Sequence, residues 1–124
     1  MAGLSSALAA AASGLEAQSA RLRHVSENIA NADTPGYQRK IATFRVDDAG
    51  VRTGPVQLDR RAVERVYDPG HPLADATGHH DGSNVDLVVE LADAREAQRS
   101  YEANLRIFDQ ARQMSLSLFD MIRR

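Results

Sequence analysis

The sequence predicts a mainly α fold: long N- and C-terminal helices packed as an antiparallel, coiled-coil-like hairpin, with a small β-rich or irregular insert between them. Three observations predict it. Apolar residues recur at alternating steps of four and three near the start of the chain, an apolar stripe at steps of three or four marks one helix face near its end, and the stretch between is broken repeatedly by Gly and Pro. At 124 residues the chain has the length of one domain. Its expected parts are an N-terminal helix over 4–31, a turn, extended arm and insert over 32–83, and a C-terminal helix over 84–124.

The N-terminal helix rests on two interleaved seven-residue series: Leu8, Leu15, Leu22, Ile29, and Leu4, Ala11, Gln18, Val25. Together they form the a/d pattern of a helical seam. Ala fills much of the remainder and has the best helix propensity; Gly14 is the one interior breaker, costing about 1 kcal/mol relative to Ala. Gln18 is either a polar residue tolerated at the seam or a device that sets its register. The helix should stop near Asn31, because Asn tolerates the left-handed conformation that ends helices and Pro35 cannot continue one. Thr34-Pro35-Gly36-Tyr37 fits a type II turn, with positive φ required at Gly36.

Beyond the turn, Ile41, Thr43 and Arg45 alternate with Ala42, Phe44 and Val46, which suggests a short strand or extended arm. Residues 47–83 carry short apolar pieces between turn residues, with Val63–Tyr67 as the best strand candidate. The C-terminal helix opens at Ser83-Asn84-Val85-Asp86, which is rich in capping residues. Its stripe runs through Leu87, Val88, Leu91, Ala94, Ala97, Tyr101, Leu105, Phe108, Ala111, Ser115, Leu118 and Ile122, and Phe119 and Met121 widen it. Asp86, Glu90 and Asp93 near its start and Arg123 and Arg124 at its close complement the helix dipole. Glu102→Arg106 and Asp120→Arg124 are supporting i,i+4 pairs. The stripe is wider than a two-helix hairpin can cover, so neighbouring subunits are its expected cover, and the termini are expected to order on assembly.

Composition narrows the function. Hydrophobic residues make up 43% of the chain, aromatics only 5%, and Trp is absent, which suits helix seams better than a thick core. A net charge of −2 with interspersed signs leaves no electrostatic footprint for nucleic acid, and no segment approaches the ~20 apolar residues of a membrane span. Absence of Cys removes disulfides and thiolate chemistry. Leu4 to Ala12 imitates a signal-peptide core, but the first basic residue is Arg21 and the helical pattern continues through Ala10–Ser13, so the segment reads as mature protein.

Catalytic patterns are equally scarce. His79-His80-Asp81 resembles metal ligands, but adjacent side chains diverge and glycines flank it, so a solvated loop is expected. His24 and His71 have no nucleophile or carboxylate at a telling spacing, and Asp47-Asp48 is expected to be solvated. No phosphate loop, nucleophile elbow or HExxH sequence is present. The expectation is a protein that is not an enzyme and takes no cofactor or metal.

A family resemblance follows from the same residues. Ser13-Gly14-Leu15, then Asn28-Ile29-Ala30-Asn31 and Thr34-Pro35-Gly36-Tyr37, resembles the N-terminal signature of bacterial flagellar axial proteins, the rod, hook and hook-associated subunits. Asn84-Val85-Asp86, followed by Ala97 to Asn104, resembles their C-terminal signature. The short middle is unlike the larger domains of hook and distal-rod proteins. Tyr67 to Gly78 is similar to a segment of one proximal-rod branch, whereas the compact Ala32–Tyr37 form also occurs in the FlgB branch. The resemblance points to the first branch, with the FlgB branch as the alternative within the family and a cytoplasmic helical-hairpin adaptor as the alternative outside it.

The resemblance implies a structural subunit of the basal-body rod, self-assembling through its terminal helices into a shaft that transmits torque and surrounds the export channel. It implies partners among other rod subunits (the FlgB, FlgF and FlgG types), the base protein FliE and the flagellar type III export apparatus. It further implies a place in the periplasmic rod, reached without a cleaved signal peptide. Carried onto this chain, the assembly signature falls on Asn28, Ala30, Asn31, Thr34, Gly36, Tyr37, Asn84, Val85 and Asp86. Periodicity adds Leu8, Leu15, Leu22, Ile29, Tyr101, Leu105, Phe108 and Phe119 as candidate interaction residues.

Overall fold

Ala-rich sequence at one end and a capped, acid-led sequence at the other give two long helices, α1 (Ala2–Ala30) and α2 (Leu87–Arg123). The computed structural model describes residues 2–123, so Arg124 and its pairing with Asp120 lie outside the described residues. Six short strands separate the helices: β1 (Lys40–Ile41), β2 (Phe44–Asp47), β3 (Gly50–Thr53), β4 (Gln57–Leu58), β5 (Arg65–Tyr67) and β6 (His79–Asp81). Asp86 caps α2, accepting the Val88 backbone N–H at 3.0 Å. No helix among the described residues is long and apolar enough to cross a membrane.

The two helices pack against each other, and their contacts run in opposite chain order. Asn28 near the end of α1 bonds Glu90 near the start of α2, at 3.2 Å. Arg21 reaches Asp93 and Glu96, both at 3.3 Å. Gly14 faces Asn104 so closely that a Cβ there would lie 2.7 Å from the Asn104 Oδ1. Asn28 and Gly14 are two heptads apart on α1, and Glu90 and Asn104 are two heptads apart on α2, so the seam keeps one register between these contacts.

Small side chains close this seam. Ala11, Ala17, Ala20 and Val25 of α1 and Ala97 and Ala111 of α2 are buried, while the largest fully buried side chains are the polar Glu90 and Asn28. Leu4, Ala11, Gln18 and Val25 turn at least partly inward as expected, whereas in the other series Leu8, Leu15 and Leu22 are half-buried and Ile29 is exposed. The closing contacts fall one residue earlier, at Gly14, Arg21 and Asn28. A bare backbone at 14 and a hydrogen-bonding side chain at 28 permit an approach that leucines would prevent. Gly14 is thus more than an interior breaker: its bare backbone makes room for the Asn104 side chain of α2. On α2 the inward arc passes through Asn104 and Phe108, and Leu105 and Phe119 are exposed.

The insert contains three separate antiparallel strand pairs. β1 pairs with β4 through Lys40↔Leu58 and Ile41↔Gln57. β2 and β3 form a hairpin from Phe44↔Thr53 to Asp47↔Gly50. β5 and β6 pair through Arg65↔Asp81, Val66↔His80 and Tyr67↔His79. The extended arm expected after the turn is therefore half of a hairpin. Gly50, with φ of 124°, brings the β2–β3 turn against α1, where Ser13 Oγ accepts the Val51 N–H at 3.0 Å and donates to Ala10 O at 2.7 Å.

One local expectation is corrected. His79-His80-Asp81 is not a solvated loop but strand β6, and strand alternation turns His80 inward. The His80 ring stacks on His71 with centroids 3.9 Å apart and planes 9° from parallel. Among the described residues, no group of three or more His, Cys, Asp or Glu side chains is placed to hold a metal ion.

The Gly14–Asn104 approach makes a direct prediction. Gly14→Leu forces α2 away from α1 and should cost about 1–3 kcal/mol, the usual range for overpacking. A urea titration followed by far-ultraviolet circular dichroism measures it, with the midpoint shifting to lower urea.

Candidate functional site

The signature residues meet where α1 ends and the chain turns back. Asn31 Nδ2 donates to Glu27 O at 2.8 Å, satisfying a carbonyl in the last turn, and Thr34 Oγ1 donates to Asn31 Oδ1 at 3.0 Å. Gly36 has φ of 73° and the Tyr37 N–H reaches Thr34 O at 3.1 Å, which gives the type II turn its shape. The turn is stitched to the segment that leads into α2. Gly36 N–H donates to Gly82 O at 2.9 Å, Asn84 N–H donates to Tyr37 O at 3.2 Å, and Ser83 Oγ donates to Ala32 O.

Beneath this turn lies a polar clasp centred on Asn28. Its Nδ2 donates to Lys40 O at 3.0 Å and Glu90 Oε2 at 3.2 Å, and its Oδ1 accepts from Tyr37 OH and Lys40 N, each at 2.8 Å. A side-chain amide offers two donors and two lone pairs, and all are used here. Asn28 thereby joins α1, the turn, β1 and α2 through one group.

Arg39 forms the charged half of the clasp. Its Nε donates to Glu90 Oε1 at 2.6 Å, Nη1 reaches Asp59 Oδ2 at 3.4 Å, and Nη2 reaches Asp93 Oδ2 at 3.3 Å. Asn84 completes it, with Oδ1 accepting the Arg39 N–H at 2.7 Å and Nδ2 donating to Asp59 O at 2.9 Å and Arg61 O at 3.1 Å. Glu90 is fully buried, yet each carboxylate oxygen has a donor. Such pairing is what allows a carboxylate to stay charged away from water.

Electrostatics follows from these partners. Burial opposes the Arg39 charge, but Glu90 and then Asp59 outweigh it, so the guanidinium is held charged more firmly than usual. The Asp59 carboxyl is held below its ordinary value, first by the Arg61 backbone N–H, with the Arg61 and Arg39 side chains adding to it. Burial chiefly pushes the Tyr37 hydroxyl up, which keeps it a donor to Asn28. At the rim, the Lys40–Glu27 pair raises the amine and lowers the carboxyl, each mainly through their mutual hydrogen bond.

Among the expected site residues, the clasp unites Asn28, Tyr37 and Asn84, while Asn31, Thr34 and Gly36 shape the turn above it and Asp86 caps α2. Val85 is half-buried between Asn84 and the cap. Leu8, Leu15, Leu22, Tyr101 and Phe108 are half-buried along the helices away from the clasp, whereas Ile29, Leu105 and Phe119 are exposed. Arg39, Asp59, Asp93 and Glu90 were not anticipated. A signal existed for Glu90 alone: it lies one heptad before Ala97, where an apolar residue belongs.

The fold and its clasp thus define a two-helix protein whose helix ends are joined through a polar turn. The family model described as flagella basal body rod protein matches residues 6–38, and that described as flagellar basal body rod FlgEFG protein C-terminal matches residues 76–121. These matches put the chain among the structural proteins of the flagellar basal-body rod, whose members are not enzymes. Flagellar basal-body rod protein FlgC of Agrobacterium fabrum is 45% identical, with 97% of this chain and 96% of the relative covered. The FlgC of Salmonella typhimurium is 41% identical over 86% of this chain and 88% of its own, and that of Borreliella burgdorferi is 31% identical over 90% and 93%. The chain belongs to the FlgC family of flagellar basal-body rod proteins.

Asn28→Leu should be among the most damaging substitutions in the chain. It leaves one Glu90 oxygen, the Tyr37 hydroxyl and two Lys40 backbone groups without their amide partner, while Arg39 still pairs the other Glu90 oxygen, and a buried polar group left unsatisfied costs about 1–3 kcal/mol; the denaturation midpoint measures the loss. Acid should act through Asp59. Because its native pKa lies below the ordinary 3.8, its contribution is present at neutral pH and is lost as pH falls below about 4. Asp59→Asn should lower the thermal midpoint at pH 7 and flatten its decline below pH 4, as read by melting curves at a series of pH values.

Proposed function

We propose that this rod protein is a proximal-rod subunit that self-assembles through α1 and α2 into the axial shaft, transmits torque, and helps to enclose the export channel. In this reading the helix pair is an antiparallel, coiled-coil-like unit. Its partners are itself, rod subunits of the FlgB, FlgF and FlgG types, the base protein FliE and the flagellar type III export apparatus. Its place is the periplasmic rod, reached by that export route without a cleaved signal peptide.

The observation that carries this reading is the distribution of exposed apolar residues on α2. At 100° per residue, Leu105 and Leu116 lie on one flank of the α1-facing seam, and Ile107, Met114 and Met121 lie on the other. All five are exposed, with Met121 at 71%. Phe119 and Ile122, also exposed, prolong the seam beyond α1, which by its register with α2 begins opposite about residue 116. The face opposite the seam carries Arg95, Arg99, Arg106, Gln110, Gln113 and Ser117. From Leu105 onward α2 therefore exposes apolar residues on both flanks and a mainly polar back, although nearer its start Val88 and Leu91 are exposed on the back, and this far half suits a wall of helices beside a water-filled space.

Substitutions on exposed flanks separate assembly from folding. Ile107→Asp combined with Met121→Asp should leave the helical content and melting temperature of the soluble chain nearly unchanged, as is usual for exposed sites. The same pair should remove the chain from detergent-extracted, fractionated basal bodies and abolish swimming. Normal incorporation and motility would count against the wall-of-helices reading, and a finite closed oligomer retained in the cytoplasm would favour an adaptor instead.

A further inference from the structure

Small side chains bring helices together closely but measure position poorly. Sliding α2 by one heptad along α1 would set Gly14 against Ala97 or Ala111 in place of Asn104, and neither is larger than the residue it replaces. In one direction of slip, Arg21 would come opposite Glu90 and exchange its Asp93 partner for another carboxylate. Packing at Gly14 therefore does not reject either neighbouring register, and Arg21 opposes only the slip that would face it with Asn104 in place of its carboxylates.

The Asn28–Glu90 contact is different, because it cannot be made one heptad away. In the observed register the Asn28 amide meets four partners, and Glu90 takes one donor from each of two elements, α1 through Asn28 and the segment before β1 through Arg39. Slip in one direction would face Asn28 with Ala97, which offers no side-chain acceptor; slip in the other would carry it beyond the start of α2. Either way two fully buried polar groups lose partners together.

We propose that Asn28 and Glu90 form a register lock, a specificity determinant that selects one alignment of the helix pair from several that the apolar seam tolerates. The distance it sets is the length of α2 that projects past α1, because a slip of one heptad moves that end by about 10 Å at 1.5 Å per residue. Phe119, Met121 and Ile122 ride on the projecting end. On the rod-subunit reading, the lock thus fixes the height at which each subunit offers its apolar tip to a neighbour.

The chain has no native Cys, so engineered pairs report register without background. In the soluble full-length chain, Ala7→Cys with Ala111→Cys reports the observed register, and Ala7→Cys with Asn104→Cys or with Leu118→Cys reports the two slipped ones. With Asn28 and Glu90 intact, only the first pair should form a disulfide readily under mild oxidation. Glu90→Gln keeps an acceptor for Asn28 and should keep that single product. Glu90→Met keeps the volume without the acceptor and should lower the ratio of native to slipped product roughly tenfold or more. The native product alone in Glu90→Met, with only a lower melting temperature, would overturn the lock and leave the pair a purely stabilising contact; scrambling in Glu90→Gln equal to that in Glu90→Met would overturn it as well. Because the readout comes from the unassembled chain, it stands or falls apart from incorporation into the rod.

Discussion

The buried hydrogen bond between Asn28 and Glu90, with Arg39 on the far side of the carboxylate, is the constraint around which the rest of the chain is arranged. Fully burying a carboxylate is tolerable only when each oxygen has a donor, and the donors come from opposite directions. One is the end of α1; the other is the segment after the turn. For both to arrive, α1 must stop near Asn31, the chain must reverse at Gly36, and Arg39 must be held in place, which Asn84 does by accepting its backbone N–H. The turn signature is thus the set of local conditions that Glu90 requires.

This ordering explains why the helix pair manages with so little hydrophobic core. Its buried apolar residues are five alanines and one valine, while large apolar side chains stand exposed along the far half of α2. Within the subunit, polar contacts near the turn define geometry and small residues allow close approach. Most of the large apolar surface is left for contacts outside the chain, as expected of a protein whose working form is an assembly.

Much of the framework was legible in the residue pattern. Seven-residue periodicity located α1 and a one-face apolar stripe located α2, while Pro35 and Gly36 announced the turn and Asp86 the start of α2. What escaped did so for physical reasons. Hydrophobic periodicity favours large residues, so it pointed to Leu8, Leu15, Leu22 and Ile29, whereas the Asn104 side chain of α2 is received at a residue with no side chain, Gly14. The β2–β3 hairpin was half visible because β3 holds a single bulky apolar residue, Val51, and depends on Ser13 for its seat. The clasp joins residues from 28 to 93 that share no spacing rule, and only the acid at a seam position hinted at it. His80 looked solvated because Gly78 and Gly82 flank its segment; strand pairing with Val66 reverses that.

The Ser13-Gly14 step has a mechanical side. On one side of α1 the Ser13 hydroxyl holds the backbone of β3, and on the other the bare Gly14 backbone sits against Asn104. A rod-like helix touched along a single line can roll under a sideways load, as a cylinder rolls on a table. Held at adjacent residues by two elements, α1 would break the Ser13 hydrogen bond or lose its fit to Asn104 on rolling about its axis. Two small residues, one after the other, thereby seat α1 against both the insert and α2.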